Sequence, residues 1–269
     1  MRSLIKKGTL PVPGAFNAAT ALLIEEAGFG AVYVSGAGLS NSCGLSDTGL
    51  LSRDEVVRSA SYIIRAVGIP AIVDVDTGFG GPEESARTVT LFEAAGAEAV
   101  QIEDQEFPKR CGHLRGKSVI PAGEFVEKIK AASGARRDPD FLIIARTDAR
   151  AVEGMDRAIE RANRYAGAGA DIIFPEALET KEEFREFAKG VNAPLLANMT
   201  EFGKGPYLSV EEFAELGYSM VIFPMTAFRA AMKAMEGALA ELKREGTQKG
   251  MLDRLETREE LYRLIKYSV

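Results

Sequence analysis

Short apolar runs alternate along the chain with longer, helix-like segments of mixed polarity. A glycine often stands between the end of a helix-like segment and the next run, as at Ala27-Gly28 before residues 31–34 and at Ala95-Gly96 before residues 99–102. Glycine suits the left-handed conformation that ends many helices, and an unbroken apolar run suits a strand buried on both faces of a sheet. The pattern predicts strands near residues 11–15, 31–35, 71–76, 99–104, 141–146, 171–176, 193–199 and 219–224.

Helix starts are marked by capping boxes, in which a serine or threonine is followed three positions later by glutamate. Such pairs begin at Ser52, Thr180, Ser209 and Thr257, and Pro82 before two glutamates also suits a first helical turn. Alternating strands and helices require a parallel sheet, and eight such units in about 250 residues are typical of a (β/α)8 TIM barrel. Helices are predicted near residues 17–27, 53–66, 83–95, 121–133, 151–167, 181–189, 209–216 and 226–244, with a terminal helix near 257–266.

The main alternative fold is an open, doubly wound parallel sheet. That fold usually carries a glycine-rich phosphate-binding turn after its first strand, and Pro13-Gly14-Ala15-Phe16 is not such a turn. The sequence also shows no linker, low-complexity segment or break in composition. We therefore predict a single (β/α)8 barrel domain over residues 1–269.

Composition narrows the classes of function. The chain has 269 residues and a net charge of −6, with acids and bases interspersed, which argues against nucleic acid as the main partner. No apolar run is long enough to span a membrane, and the N-terminus lacks the apolar core of a signal peptide. Two cysteines in so long a chain fit a reducing cytoplasm, and the single histidine, His113, rules out a histidine-rich zinc site.

An acidic pair closes the third predicted strand, in the stretch Ala71-Ile72-Val73-Asp74-Val75-Asp76-Thr77-Gly78. Buried aspartates are unfavourable unless they are paired or hold a metal, and two residues apart on a strand they would face the same side. The alternative is that they cap the next helix or bind turn amides. With Glu103 at the end of strand four and Asp47 as a further donor, the oxygen ligands select Mg²⁺ or Mn²⁺.

Polar residues also close most of the other predicted strands. In a barrel these ends meet around one pocket, where the chemistry takes place. The donors there, with the amides of Ser35, Gly36 and Ala37, suit carboxylates, so together with a metal they predict a small polyanionic substrate, either a di- or tricarboxylate or a phosphonate. A structural salt bridge is the alternative for each donor, and it is the favoured interpretation for Arg229 taken alone. The donor side chains are Arg146, Asn198, Thr200 and Arg229.

A loop rich in glycine and charge follows strand four, with the sequence Lys109-Arg110-Cys111-Gly112-His113-Leu114-Arg115-Gly116. Its composition predicts an exposed, mobile segment, and the cations around Cys111 predict a lowered thiol pKa. Above a metal site, such a loop is typical of a lid that brings an acid or a nucleophile to the substrate. The alternative is an incidental surface cysteine. Cys43 lacks such neighbours and is interpreted as structural.

The block Lys109–His113, Asp74-Val75-Asp76-Thr77-Gly78 and Asn198-Met199-Thr200-Glu201 together resemble the isocitrate lyase and phosphoenolpyruvate mutase superfamily, over nearly the whole chain. Within it, the sequence is most similar to the 2-methylisocitrate lyases. The resemblance implies a cytoplasmic, Mg²⁺-dependent carbon–carbon lyase of the methylcitrate cycle of propionate catabolism. Such an enzyme cleaves 2-methylisocitrate to pyruvate and succinate without an organic cofactor. It also implies a homotetramer in which C-terminal helices are swapped between subunits.

The resemblance further implies catalytic roles and metal ligands. Cys111 is expected to protonate the succinate carbanion and Tyr33 to act as the base, while Lys109 and His113 belong to the same catalytic group. Asp74 is expected to touch the metal most directly. The carboxylates expected to bind it directly or through water are Asp47, Asp76 and Glu103.

The substrate is expected to be held in two parts. The pyruvate carboxylate is expected to contact Ser35, Gly36, Ala37 and Arg146. The succinate half is expected to be surrounded by Gly112, His113, Glu176, Asn198, Thr200 and Arg229.

Several features favour the 2-methylisocitrate lyases over isocitrate lyases. Isocitrate lyases are longer and usually carry Lys-Lys before the cysteine, where this chain has Lys109-Arg110. Phe174 and Ile222 give the apolar wall expected around a methyl group, whereas isocitrate lyases have a bulkier or more polar wall there. Ala37 departs from the glycine of 2-methylisocitrate lyases, although its amide remains available.

Other activities remain open. An isocitrate lyase or a 2,3-dimethylmalate lyase would share the catalytic residues and differ only in the pocket wall. A phosphonomutase or an oxaloacetate decarboxylase would share the metal site, but those branches resemble sequences without the Lys-x-Cys-Gly-His lid. A non-catalytic carboxylate-binding protein is the alternative from another class, and mere binding would not need Cys111 or Tyr33.

Overall fold

The computed structural model describes residues 1–112, 114 and 116–267. Within these residues eight parallel strands form one sheet in the order β6-β5-β4-β3-β2-β1-β8-β7. A parallel bridge between Ile173 and Leu195 joins the two ends of this order, so the sheet closes and the predicted (β/α)8 barrel is confirmed. The strands are β1 (Leu10–Ala15), β2 (Val32–Val34), β3 (Ala71–Asp74), β4 (Ala99–Glu103), β5 (Leu142–Thr147), β6 (Ile172–Pro175), β7 (Leu196–Asn198) and β8 (Met220–Phe223).

The helices follow the predicted order, with differences in detail. Gly154, at a φ of 91°, divides the predicted helix 151–167 into two helices. The helices are α1 (Arg2–Ile5), α2 (Ala18–Glu26), α3 (Gly36–Ser42), α4 (Arg53–Ala66), α5 (Pro82–Ala94), α6 (Ala122–Ala135), α7 (Arg150–Glu153), α8 (Met155–Gly167), α9 (Lys181–Gly190), α10 (Val210–Glu215), α11 (Thr226–Glu245) and α12 (Arg258–Leu264), with a 3₁₀ helix at Lys249–Arg254.

The predicted helix starts are confirmed. Complete capping boxes begin at Ser52, Ser209 and Thr257, where the side-chain oxygen accepts the amide of the glutamate three positions on and that glutamate returns the contact. The Thr180 side chain accepts the amide of Glu183 in the same way. These contacts fix where α4, α9, α10 and α12 begin, and therefore where the preceding loops end.

Two apolar layers hold the barrel together. On β3, Ile72 belongs to the layer inside the barrel and Val73 to the layer between strands and helices. Ile144 and Ala145 divide in the same way on β5. Because side chains alternate along a strand, the residue two positions beyond an inner apolar residue also faces inwards. This rule places Asp74 inside the barrel at its carboxyl end, above the apolar core.

The C-terminal helices are largely exposed. Within α11, all of whose residues are described, no side chain is buried, and Met232, Met235, Leu239 and Leu242 are exposed. Swapping of these helices between subunits stays a prediction. In the part of the chain that the structure describes, no helix is both long enough and apolar enough to cross a membrane.

Candidate active site

A cavity of about 320 Å³ opens at the carboxyl ends of the barrel strands. It brings together residues that are distant in sequence, because the carboxyl ends of all the strands meet on one face of the barrel. Most of the predicted site residues lie in its wall. They are Tyr33, Ser35, Ala37, Asp47, Asp74, Cys111, Gly112, Arg146, Phe174, Glu176, Asn198, Thr200, Ile222 and Arg229.

Four residues of the cavity wall were not predicted: Asn41, Ser46, Pro224 and Met225. Pro224 and Met225 come directly after β8, so their position at a strand end was a usable signal. Met225 also contacts the site, since its Sδ lies 3.6 Å from Ser35 Oγ. Asn41 and Ser46 follow β2 at a distance, and nothing in the local sequence pointed to them.

A larger cavity, of about 580 Å³, lies on the outer side of Asp76. Much of its wall is apolar, with Leu50, Phe79 and Phe107 among its members. Among the described residues that form this wall, Cys111 is absent. We therefore identify the smaller cavity, where several kinds of polar group converge, as the candidate active site.

Asp74 and Asp76 do not face the same side, contrary to the prediction. Strand β3 ends at Asp74, and Asp76 lies in the following turn with a φ of 49°. The turn breaks the alternation of the strand, so Asp74 lines the active-site cavity while Asp76 lines the larger one. The Asp76 amide donates to Asp74 Oδ1 at 3.1 Å, and Lys128 Nζ donates to the Thr77 carbonyl. These contacts hold a backbone conformation that a non-glycine residue rarely adopts.

Lys109 is buried in the acidic cluster and does not line the cavity, which corrects the prediction for this residue, whereas Arg110, Leu114 and Gly116 of the same loop are exposed as predicted. Its side chain is 3% exposed, and its ammonium bridges Asp47 and Asp76, with Nζ 2.7 Å from Asp76 Oδ1. Burial acts to lower the pKa of Lys109, but the charges of Asp76, Glu103 and Asp47 outweigh it and raise the pKa. A buried lysine is tolerated here because carboxylates surround it.

The acidic cluster has the donor chemistry of a divalent-cation site. Both carboxylate oxygens of Glu103 are buried without a hydrogen bond among the described residues, although Arg146 Nε lies 3.4 Å from Oε2. Burial raises the pKa of Glu103, and burial with the charge of Asp76 raises the pKa of Asp74 to about 6. A hard cation among these oxygens would stabilise the charged forms of both carboxylates and lower their pKa values.

The carboxylates are nevertheless not gathered around one point. In the described part of the chain, no three aspartate, glutamate, cysteine or histidine side chains are placed to hold a metal together. The ammonium of Lys109 lies between Asp47 and Asp76 and forms an ion pair with each of them. The sequence predicted Asp76 and Glu103 in the pocket, but the structure places Asp76 beside it and Glu103 fully buried beneath it.

Tyr33 lies in the cavity wall close to Asp74. Its hydroxyl donates to Gln101 Oε1 at 2.7 Å. Burial, and then the charge of Asp74, raise the pKa of Tyr33 well above its ordinary value. The residue is therefore a phenol in this structure, and a phenolate would need a positive charge nearby.

Arg146 is a charged group fixed in the wall of the cavity. Its Nε lies 2.9 Å from Asp148 Oδ2, and its Nη1 lies 3.3 Å from Glu176 Oε2. Burial acts to lower its pKa, but Asp148, Glu103 and Glu176 raise it, so the guanidinium stays charged. Phe174 supports it from below, with the guanidinium carbon 5.4 Å from the ring centre. This arrangement presents a rigid cation to an anionic substrate.

The segment after β2 begins a helix where a strand end was predicted. Ser35 caps α3, and its Oγ accepts the Gly38 amide at 3.1 Å. Gly36 does not line the cavity; a Cβ at this position would lie 2.9 Å from Asp74 Oδ2. The glycine is needed because Asp74 packs directly against the backbone there.

The lid, defined as residues 108–117, reaches the cavity through Cys111 and Gly112. It packs closely on the opposite wall, since a Cβ at Gly112 would lie 2.4 Å from Glu176 Cγ. At the other end of the lid, Lys117 Nζ lies 2.6 Å from Asp148 Oδ1. Neither Lys117 nor Asp148 was predicted as a site residue. The predicted residue His113 lies outside the described residues.

The remaining wall combines polar and apolar groups. Asn198 Nδ2 donates to Glu176 Oε2 at 3.3 Å. The salt bridge favoured for Arg229 is present, with Nε 3.5 Å from Glu201 Oε2, yet Arg229 also lines the cavity. Ile222 is buried in the wall, as predicted for an apolar patch.

A closed parallel barrel with an acidic cluster, a buried arginine and a cysteine-bearing lid defines a (β/α)8-barrel enzyme for small anionic substrates. The comparisons with known proteins agree with this class. The sequence profile described as phosphoenolpyruvate phosphomutase matches residues 1–243. The chain is 57% identical over 268 residues to a 2-methylisocitrate lyase of Aeropyrum pernix. The aligned region covers 99% of this chain and 86% of the relative.

Solved structures show the same relationship. A 2,3-dimethylmalate lyase matches with a TM-score of 0.92 and 36% identity, over 98% of this chain and 89% of that one. A phosphonopyruvate hydrolase solved with oxalate and Mg²⁺ matches with a TM-score of 0.89 and 34% identity, over 98% and 92% of the two chains. The chain belongs to the phosphoenolpyruvate mutase and isocitrate lyase superfamily, which confirms the resemblance seen in its sequence.

Proposed function

We propose that this protein is a Mg²⁺-dependent carbon–carbon lyase that cleaves 2-methylisocitrate to pyruvate and succinate. One observation carries the proposal: a single cavity combines Asp74, Arg146 and the lid residue Cys111 with the apolar side chains of Phe174 and Ile222. The 57% identity to the Aeropyrum pernix 2-methylisocitrate lyase supports this substrate over others of the superfamily.

The acidic cluster is the proposed metal site. Asp74 is the proposed direct ligand, with Asp47, Asp76 and Glu103 as direct or water-mediated ligands. When bound, Mg²⁺ would lower the pKa of the substrate hydroxyl and orient it with its neighbouring carboxylate. The buried oxygens of Glu103, which accept no hydrogen bond from the described residues, support this site, as does the phosphonopyruvate hydrolase solved with Mg²⁺.

The protein side chains would divide the proton transfers between two sides of the substrate. Tyr33, in the wall beside Asp74, is the proposed base for the hydroxyl proton. Because its side chain is a phenol here, it would first lose its own proton to solvent, which the positive charge of a bound divalent cation would favour. Cleavage leaves the electron pair of the broken carbon–carbon bond on the carbon next to a succinate carboxylate. Arg146 and Asn198 suit the carboxylates on which negative charge develops. Cys111 then donates its proton to that carbon.

The apolar wall is the proposed site for the substrate methyl group. Phe174, on β6, and Ile222, on β8, are each about 1% exposed, and both line the cavity. An apolar pocket distinguishes substrates that differ by one methyl group by only about 1–3 kcal/mol. The preference in kcat/KM for 2-methylisocitrate over isocitrate should therefore be measurable, and it should stay within this range.

The test is an assay of pyruvate and glyoxylate release with 2-methylisocitrate, isocitrate and 2,3-dimethylmalate. We expect the wild type to have the highest kcat/KM for 2-methylisocitrate. Ile222→Thr should reduce the ratio of kcat/KM for 2-methylisocitrate over isocitrate, because it makes the methyl pocket polar. Ile222→Val, which stays apolar, is the matched control and should change the ratio less.

A wild type that prefers isocitrate, or a ratio unmoved by Ile222→Thr, would reject the methyl pocket. Preference for 2,3-dimethylmalate would favour the second candidate, which the 0.92 TM-score of the 2,3-dimethylmalate lyase supports. We also propose a cytoplasmic homotetramer, and the exposed apolar residues of α11 support assembly.

A further inference from the structure

Lys117 is a buried cation at the end of the lid. Its side chain is 2% exposed, and Nζ donates to Asp148 Oδ1 at 2.6 Å and to the Gly112 carbonyl. A buried ammonium is unfavourable unless its donors are satisfied by close acceptors. These two contacts therefore tie the end of the lid to its cavity-facing turn and to the barrel.

Asp148 is a rigid anchor for this contact. It is fully buried just beyond β5, and its amide donates to Asp104 Oδ1 at 2.9 Å. Its carboxylate also accepts Arg146 Nε at 2.9 Å and Nη2 at 3.2 Å. One carboxylate thus holds both the cation of the cavity wall and the cation of the lid.

The two ends of the lid are fastened in the same manner. Lys109 enters the acidic cluster and bridges Asp47 and Asp76, while Lys117 binds Asp148 on the far side. Lys117 is absent from the described wall of the cavity, and it reaches the site indirectly, through the Gly112 carbonyl and through Asp148, which also binds Arg146. Between these two fastened ends lies Cys111.

We propose that Lys117 is a positioning residue that latches the lid onto Asp148 and so keeps Cys111 at the cavity. The role given to Cys111 rests on the proposed function, whereas the latch itself is a property of the protein without substrate. Loss of the latch should free the turn around Gly112 while the barrel stays folded. Loss of a charged hydrogen bond of this kind should raise the equilibrium constant for opening of the lid by about tenfold or more.

Two readouts without substrate test the latch in Lys117→Met. Amide hydrogen exchange in peptides covering residues 109–117 should become about tenfold faster, because the hydrogen bonds that hold the lid are lost. Alkylation of Cys111 by iodoacetamide should rise relative to the exposed Cys43 of the same molecule, which is an internal reference. Lys117→Arg, which keeps the charge, should restore part of the protection.

Lys130→Met is the matched control, because it removes an exposed lysine that pairs with Glu127 at 2.8 Å. Unchanged lid exchange and Cys111 alkylation in Lys117→Met, or the same changes in Lys130→Met, would overturn the latch. Faster exchange throughout β5 and α6 would show a general structural role and would overturn it as well. If Lys117→Met misfolds, Lys117→Gln gives the same readouts. If the wild type shows no lyase activity but Lys117→Met still has faster amide exchange in the lid, the proposed function is rejected and the latch stands.

Discussion

Buried charge is the main physical feature of the site at the scale of single residues. Arg146, Lys109 and Lys117 are all nearly buried, and each one is paired with at least one buried or half-buried carboxylate. Burial would otherwise disfavour these charges. In contrast, Asp74 and Glu103 have their pKa values raised by burial. The charged forms of these two carboxylates are therefore disfavoured unless a further cation lies close to them.

Removal of Asp74 should abolish metal-dependent activity and leave the fold intact. Burial raises the pKa of this residue to about 6, so the wild-type fold does not depend on its charge. We expect Asp74→Ala to weaken Mn²⁺ binding, measured by electron paramagnetic resonance, by at least about tenfold. The thermal midpoint should fall only slightly, because the variant loses the acceptor of the Asp76 amide but also loses a buried charge that the fold disfavours. The exposed Asp253→Ala is the control. Wild-type Mn²⁺ affinity in Asp74→Ala would contradict the ligand assignment.

Cys111→Ser should remove the proton donor while keeping a similar size. A serine hydroxyl is a much weaker acid than a thiol, so turnover should fall by about 10²–10⁴. Substrate binding, measured by calorimetry, should change little. Cys43→Ser is the matched control, since Cys43 is exposed and is not among the described residues that line the cavity. If turnover stays near normal in Cys111→Ser, another group delivers the proton.

At the scale of elements, the turn after β3 depends on a neighbouring helix. Asp76 and Phe79 have φ values of 49° and 61°, which side chains other than glycine rarely adopt. Lys128 from α6 is buried and donates to the Thr77 carbonyl, and Thr88 Oγ1 from α5 donates to the Gly78 carbonyl at 3.2 Å. The helices thus hold a turn that the strand alone would not form.

Lys128 should make stability depend on pH in the alkaline range. Burial lowers its pKa from 10.5 to about 8, so the folded state binds this proton less tightly than the unfolded state. Stability therefore rises with pH between about 8 and 10.5. The unfolding free energy of the wild type minus that of Lys128→Met should grow by about 2–3 kcal/mol across this range.

Denaturant titrations of both proteins at several pH values measure this difference. Comparison with Lys128→Met cancels the tyrosines and other lysines that titrate over the same range. The exposed Lys189→Met should show no such trend. A difference that stays flat or falls as the pH rises would contradict the low pKa of Lys128.

At the scale of the whole molecule, closure of the barrel creates the site. The bridge between Ile173 and Leu195 brings β6 and β7 together, and with them Glu176 and Asn198. An open sheet would leave these two residues at opposite edges. Arg146 and Asp74 then meet the same cavity although their strands, β5 and β3, are separated by β4.

The sequence by itself determined most of the elements, the barrel and most of the cavity wall, although it did not predict α1 and α3. Apolar runs and capping boxes are local signals, and the alternation of strands with helices leaves few possible topologies. Arg146 and Asn198 were then found from their positions at the carboxyl ends of predicted strands, which meet on one face of a barrel. These features depend on neighbours in the chain, which is why they could be predicted.

Only the tertiary structure decided where the charges lie. Asp76 turned away because Lys128 and the helices around it hold the strand end in a turn. Lys109 was predicted in an exposed loop but is buried, and Lys117, which no signal in the sequence singled out, has a buried side chain as well. Carboxylates from the α3–α4 and β5 loops, distant in sequence, compensate these two charges. A local pattern does not specify a partner that is brought close only by folding, and the burial of a charge depends on that partner.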